Sequence, residues 1–149
     1  MPNLEKPRPN LCFVHVVEGE VEPLSRQRCD ADVLAHLRDA DVRPEMIAVN
    51  AAGCFFVVDR SMLERVRATL EPLNVALFVR CGCTRIALTR PADPATMPSM
   101  TTLLSALSAE TVDVVHFALE PDAIAALVPE VDCSRAAGVF SRFCRPRAA

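Results

Sequence analysis

Cys81-Gly82-Cys83 places two thiols one residue apart. At that spacing two thiolates can ligate a soft metal, with Cys12, Cys29 or Cys54 as further ligands if folding brings them near. Structural zinc sites more often pair two CxxC elements, or a CxxC with histidines at regular distance, and neither pattern is present. The pair also falls between two predicted strands, where Gly82 suits a turn. No metal and no cofactor is therefore expected, and the other cysteines read as small apolar core residues. His15, His36 and His116 fall on a strand, a helix and a strand, without HExxH, a neighbouring serine nucleophile or paired carboxylates. No catalytic residue is nominated, and no GxGxxG or GxxxxGK[ST] is present to cradle a phosphate.

The elements that must position any site are those of a folded chain. Its 149 residues are 51% hydrophobic and 23% charged, enough for one ordinary domain or two very small ones. No run approaches the roughly 20 apolar residues of a membrane span. Met1 to Asn10 is Pro-rich and polar, unlike a signal peptide, and seven cysteines without a disulfide framework suit a reducing compartment. The expectation is a cytoplasmic protein with most of its cysteines as thiols. A net charge of −3 offers phosphate backbones and anionic lipid no general attraction, although Arg142, Arg145 and Arg147 gather at the end. Gly53-Cys54-Phe55-Phe56-Val57 faintly resembles the base-stacking strand of RNA-recognition motifs. Adjacent Phe55 and Phe56 must point to opposite faces of a strand, however, and there is no tryptophan or tyrosine. Nucleic acid and membrane are both excluded as expected partners.

Residues 31–70 and 101–140 superpose at a constant offset of seventy positions without a gap. Leu34 meets Leu104, Leu37 meets Leu107, Val42 meets Val112, Ala48 meets Ala118, Val58 meets Val128 and Arg65 meets Arg135, with apolar facing apolar elsewhere. In the first copy Leu11–Val17 reads as a buried strand. A helix follows from Asp30, its cap, through Val33, Leu34 and Leu37, and ends near Asp39, Asp41 and Pro44. Met46–Val49 and Cys54–Val58 form a hairpin about Asn50-Ala51-Ala52-Gly53. Asp59 caps a second helix through Met62, Leu63, Val66 and Leu70, Pro72 stops it, and Val75–Val79 begins another strand. The second copy repeats this with strand Arg85–Leu88, helix Met100–Leu107, strands Val112–Ala118 and Ala123–Val128, and helix Cys133–Phe143. The order βαββαβ predicts an α+β fold of two ferredoxin-like units, each an antiparallel sheet with its helices on one face. The divisions are an arm over 1–10, a first unit over 11–80 and a second over 81–149. The second unit lacks a fourth strand, which it must borrow or leave as an exposed edge, so a homodimer is expected.

VLAHLRDADVRPEMIAVNAAGCFFVVDRSMLERVRATL and LLSALSAETVDVVHFALEPDAIAALVPEVDCSRAAGVF resemble the tandem ACT domains that form the regulatory region of aspartokinases, without the kinase domain. The resemblance spans Leu11 to Phe143. It implies a non-catalytic regulatory protein that pairs ACT units and holds a small amino acid of the lysine or threonine class, linked to aspartate-family amino acid metabolism. The alternative it leaves is a structural module that holds a partner enzyme. Backbone groups at strand-to-helix junctions can hold the two charged ends of an amino acid. The corresponding walls here are Gly19 to Asp30 with Arg28, Cys29 and Asp30, the turn Asp41-Val42-Arg43, the loop Pro91 to Ser99 with Pro98 and Ser99, and Thr111-Val112-Asp113. The chain departs from the family in having Arg28 and Pro98 where glycine is usual. Arg43 and Asp113 stand where asparagine is usual; Arg43 suits a carboxylate and Asp113 an ammonium.

Overall fold

The computed structural model describes residues 2–18 and 23–144, with backbone alone over 23–28. It divides into a unit Asn10–Cys81 and a unit built from Met1–Pro9 with Gly82–Ala149. Both are ferredoxin-like, with antiparallel strands and two helices each.

In the first unit β2 (Arg8–Val17) pairs with β4 (Gly53–Asp59), and β3 (Glu45–Asn50) pairs with the other side of β4. The β3–β4 turn forms where expected. Asn50 accepts the Ala52 N–H at 2.8 Å, and Gly53 follows at φ +124°, where a Cβ would collide with the Val16 carbonyl oxygen. Asp59 caps a single 3-10 turn through Ser61 N–H, from which α2 (Leu63–Leu70) continues. Helix α1 runs Pro23–Asp39, seven residues earlier than the expected start at Asp30. Proline tolerates the first helical position because its missing N–H would have no partner there. Asp30 is thus inside the helix and 4% exposed, not a cap. Val33 and Leu37 of α1 and Val66 and Leu70 of α2 close over Val14, Val16, Cys54, Phe56 and Val58. Phe56 lies in this core, while Phe55 on the opposite face stacks on His15 at 4.1 Å between ring centroids.

β5 (Ala76–Thr89) is one strand, so Cys81-Gly82-Cys83 is not a turn. Gly82 takes φ +69° within it, and the chain passes from one unit to the other there. Cys81 is bonded to Cys12 across the first unit, a disulfide that the sequence reading did not anticipate; the other five cysteines are thiols.

In the second unit the offset of seventy holds at the level of elements. β7 (Ala123–Pro129) and α4 (Cys133–Ser141) begin seventy residues after β4 and α2, and α3 (Met100–Ala109) ends seventy after α1. Leu103, Leu107, Ile124, Ala126, Val128, Ala136 and Phe140 form its core at the positions of Val33, Leu37, Cys54, Phe56, Val58, Val66 and Leu70. β6 (His116–Leu119) starts four residues later than expected. The Val112 N–H closes the helix on the Leu107 carbonyl, and the Asp113 N–H is taken by the Asp132 carboxylate, so neither enters a ladder.

The fourth strand comes from the arm. β1 (Asn3–Leu4) pairs antiparallel with Thr89 and Leu88, and the Glu5 N–H donates to the Ala87 carbonyl at 2.9 Å. Arg85 fixes the arm from beneath by donating to Glu5 at 2.7 Å and to Glu120 at 2.8 Å, with its side chain 9% exposed. Burial opposes its charge, but the hydrogen bonds and charges of the two glutamates outweigh that and hold the guanidinium above its ordinary value.

Candidate functional site

The end of α1 makes a concave site because the helix stops while its apolar stripe continues. Asp41 takes the left-handed conformation at φ +58°, and the Val42 N–H returns to the Leu37 carbonyl at 2.8 Å. That reversal leaves Val42 1% exposed and turns Asp41 and Arg43 outward on either side of it. Pro44 then fixes an extended entry to β3. The result is a cavity of about 360 Å³, within the roughly 300–1,000 Å³ typical of small-molecule sites. Leu34, Val42, Pro44 and Ile47 form its apolar wall, and Arg38, Asp41 and Arg43 supply its charges. Arg38 is occupied by Asp39 at 3.3 Å. Among the described residues neither Arg43 nor Asp41 has a side-chain ion pair.

A larger cavity of about 460 Å³ lies between α2 and the start of β5, but its charged lining includes the pair Arg67–Glu64 at 3.9 Å, and it contains no residue nominated from sequence.

The nominated residues are thus only partly brought together. Asp41, Val42 and Arg43 share the smaller cavity. Arg28, Cys29 and Asp30 lie on earlier turns of the same helix, on the order of 15 Å away along its axis at about 1.5 Å per residue. Gly19 to Glu22, part of the nominated first loop, and the Arg28 side chain lie outside the described residues, as do Arg145 and Arg147. Around Asp30 the chemistry is that of a closed interior. Burial pushes the Cys29 thiol up to about 11, helped by its hydrogen bond to Glu18 and by the charges of Glu18, Asp30 and Asp32. Burial likewise raises Cys54 to about 12, with Asp30 and Glu18 adding to it. Such thiols stay protonated and are poor nucleophiles and poor metal ligands near neutral pH. Among the described residues no cluster of three or more His, Cys, Asp or Glu side chains is placed to hold a metal ion.

The matching turn of the second unit has the same backbone and a different fate. Thr111 repeats the left-handed conformation of Asp41 at φ +55°. Here the Asp113 N–H donates to Asp132 at 3.1 Å, and the Asp132 carboxylate also pairs with Arg135. Arg135 further donates to the Glu110 carbonyl at 3.1 Å and to the Thr111 hydroxyl at 2.9 Å, while Arg142 pairs with Glu110 at 2.8 Å. Asp132 is 5% exposed and corresponds to Met62 in the first unit. Val112 is buried, and Pro98 and Ser99 sit at the far end of α3, where Ser99 accepts the Thr102 N–H as its cap. The sequence reading missed Leu34, Arg38, Pro44 and Ile47 in one turn and Asp132 in the other. The spacing of Leu34 and Arg38, four apart on one helix face and next to Asp41, was the available signal for the former. Asp132 gave none, because nothing local ties it to a turn nineteen residues earlier.

No protein-family model matches the sequence, and no curated protein matches it. Solved structures do match its fold. The regulatory subunit of aspartate kinase from Thermus thermophilus, in its ligand-free form, superposes with a TM-score of 0.78 at 13% identity over 95% of this chain and 96% of that one. The corresponding subunit from Thermus flavus gives 0.73 at 14% identity over 95% of each. E. coli aspartokinase III in complex with lysine and aspartate gives 0.64 at 14% identity, over 93% of this chain and 32% of that one. The chain has the fold of aspartate kinase regulatory domains, two ACT-type units in tandem.

Proposed function

We propose that this protein is a non-catalytic regulatory module of the tandem ACT type that binds a small amino acid at the α1–β3 turn of its first unit, as a homodimer. The observation that carries the reading is the cavity with Arg43 and Asp41 unpaired beside an aliphatic wall, on a fold otherwise found in aspartate kinase regulatory subunits. A zwitterion needs one cation and one anion at a short separation, and this turn offers both. Dimerisation is favoured by the edge strands: β3 carries exposed Ile47 and Val49, and β6 carries exposed Leu119. Among the described residues no helix is long and apolar enough to cross a membrane.

A ligand that binds only the folded state stabilises it by about 2.7 kcal/mol at a hundred times its dissociation constant. Calorimetric titration with each of the twenty amino acids, paired with thermal unfolding, is expected to show one or a few that saturate and raise the melting temperature. A folded protein that titrates with none of them ends the reading.

The second unit favours a further role for its own half. Its turn is filled by Asp132, Arg135 and Arg142, which suits a rigid surface held against a partner enzyme. Co-purification of a kinase chain from native extract, with kinase activity that responds to added amino acid, supports that role; a lone homodimer that saturates with amino acid opposes it.

A further inference from the structure

We infer that the ligand of the α1–β3 cavity is an α-amino acid with a neutral, branched aliphatic side chain, held by Arg43 at its carboxylate and by Asp41 at its ammonium. This rests on the reading of that cavity as an amino-acid site and names the class it takes.

The two turns differ in where their carboxylate comes from. In the second unit the turn binds a carboxylate from within the chain: Asp132 accepts the Asp113 N–H and pairs with Arg135. In the first unit Met62 stands in place of Asp132, while Arg65 keeps the position of Arg135. The same turn backbone, with Asp41 and Thr111 both left-handed, is therefore left without its carboxylate. Among the described residues nothing accepts the Arg43 N–H or pairs with its guanidinium. One repeat supplies its own anion, and the other leaves Arg43 for an anion from solution.

The lining decides the rest of the ligand. Asp41 is the sole carboxylate on the cavity wall, so one ammonium is matched and a second is not. A lysine side chain would bring a second cation beside Arg38 and Arg43. Leu34, Val42, Pro44 and Ile47 form the remaining wall and offer a hydroxyl no side-chain partner, which penalises threonine. An isopropyl or sec-butyl group instead gains about 0.8 kcal/mol for each methylene removed from water, equivalent to roughly fourfold in affinity.

The test is calorimetry on the intact protein with leucine, isoleucine and valine against lysine and threonine, followed by 4-methylpentanoate and 3-methylbutylamine, which each lack one charged end. The expected result is saturation by an aliphatic amino acid, with lysine and threonine at least tenfold weaker. Arg43→Gln should then weaken the amino acid by roughly ten- to a hundredfold, the range of a lost charged hydrogen bond, and leave the carboxylate-free amine unchanged. Asp41→Asn, which keeps the left-handed turn accessible, should weaken the amino acid and leave 4-methylpentanoate unchanged. If lysine or threonine binds as tightly as leucine, or if neither variant alters affinity, the inference is overturned while the protein remains an amino-acid sensor. If no amino acid binds, both fall.

Discussion

In the unit Asn10–Cys81 the first and last strands are joined covalently by Cys12 and Cys81, whereas in the other unit the added strand β1 is held by a buried guanidinium between Glu5 and Glu120. The cores differ in the same spirit. Phe56 of the first unit corresponds to Ala126 of the second, and Leu70 corresponds to Phe140, so the bulky ring moves from sheet to helix while each core remains filled. The turns at the ends of α1 and α3 diverge most: one is open and the other is closed by Asp132. Duplication therefore preserved the pattern of burial, which any apolar set of suitable volume satisfies, and left closure and polar chemistry to vary. A fold constrains where oil goes more tightly than how its edges are fastened.

The largest effect should come from breaking the ionic fastening. Arg85→Ala leaves Glu5 and Glu120 facing each other beside a void, and loss of one member of a buried charge set costs about 3–5 kcal/mol. Hydrogen exchange is expected to show β1, β5 beyond Gly82 and β7 losing protection while β4 keeps its own. Equal loss in both units would mean that the two do not stabilise separately.

Breaking the covalent fastening should cost somewhat less. The disulfide closes a loop with a sequence separation of 69, and removing such a bridge typically costs about 2–4 kcal/mol. Reduction, or Cys81→Ser, is expected to lower protection in β2 and β4 and to leave Arg85 and its glutamates in place. Alkylation of the denatured, unreduced protein should modify five thiols; seven would remove the bridge from the comparison.

The smallest effect sharpens the contrast at one core position, where Cys54 corresponds to Ile124. Cys54 is raised from an ordinary value of 9.0 to about 12 in the folded protein, so the native state binds the proton more tightly than the unfolded one. The stability tied to that proton is intact below about pH 9 and is lost as pH rises from there towards 12. Urea midpoints measured from pH 8 to 11 should fall, and Cys54→Val should make the fall shallower. An unchanged slope in the variant would show that Cys29, raised to about 11 by its own burial and acidic neighbours, or another group governs the alkaline limit.

Much of this was legible in the chain. The offset of seventy rests on a burial pattern repeated along the chain, and the hairpin at Asn50-Ala51-Ala52-Gly53, the opposed faces of Phe55 and Phe56, and the cap at Asp59 rest on neighbours within a few residues, where periodicity and turn chemistry act. Asp30 is a good cap residue in isolation and predicts a later start for α1; only the folded unit, which buries it within the longer helix Pro23–Asp39, shows otherwise. The apolar run Val112–Ala118 predicts a strand from its first residue, but it cannot reveal that its first amides already serve the helix end and Asp132, so β6 begins at His116. Of the residues nominated for binding, the three at the α1 end share a cavity; within each unit the helix itself separates them from the others, α1 parting Arg28, Cys29 and Asp30 from that turn and α3 parting Pro98 and Ser99 from Val112 and Asp113.

What the sequence by itself determined is the duplicated α+β architecture, because alternation and helical spacing repeat along the chain and burial must follow them. What only the tertiary structure decided is the set of contacts between residues far apart in sequence: Glu5 with Arg85, Cys12 with Cys81, and Asp113 with Asp132. Each depends on where folded elements bring single polar atoms or sulfurs within bonding distance. No local pattern encodes that, because a hydrophobic period records which face is buried and carries no information about which polar group meets another there.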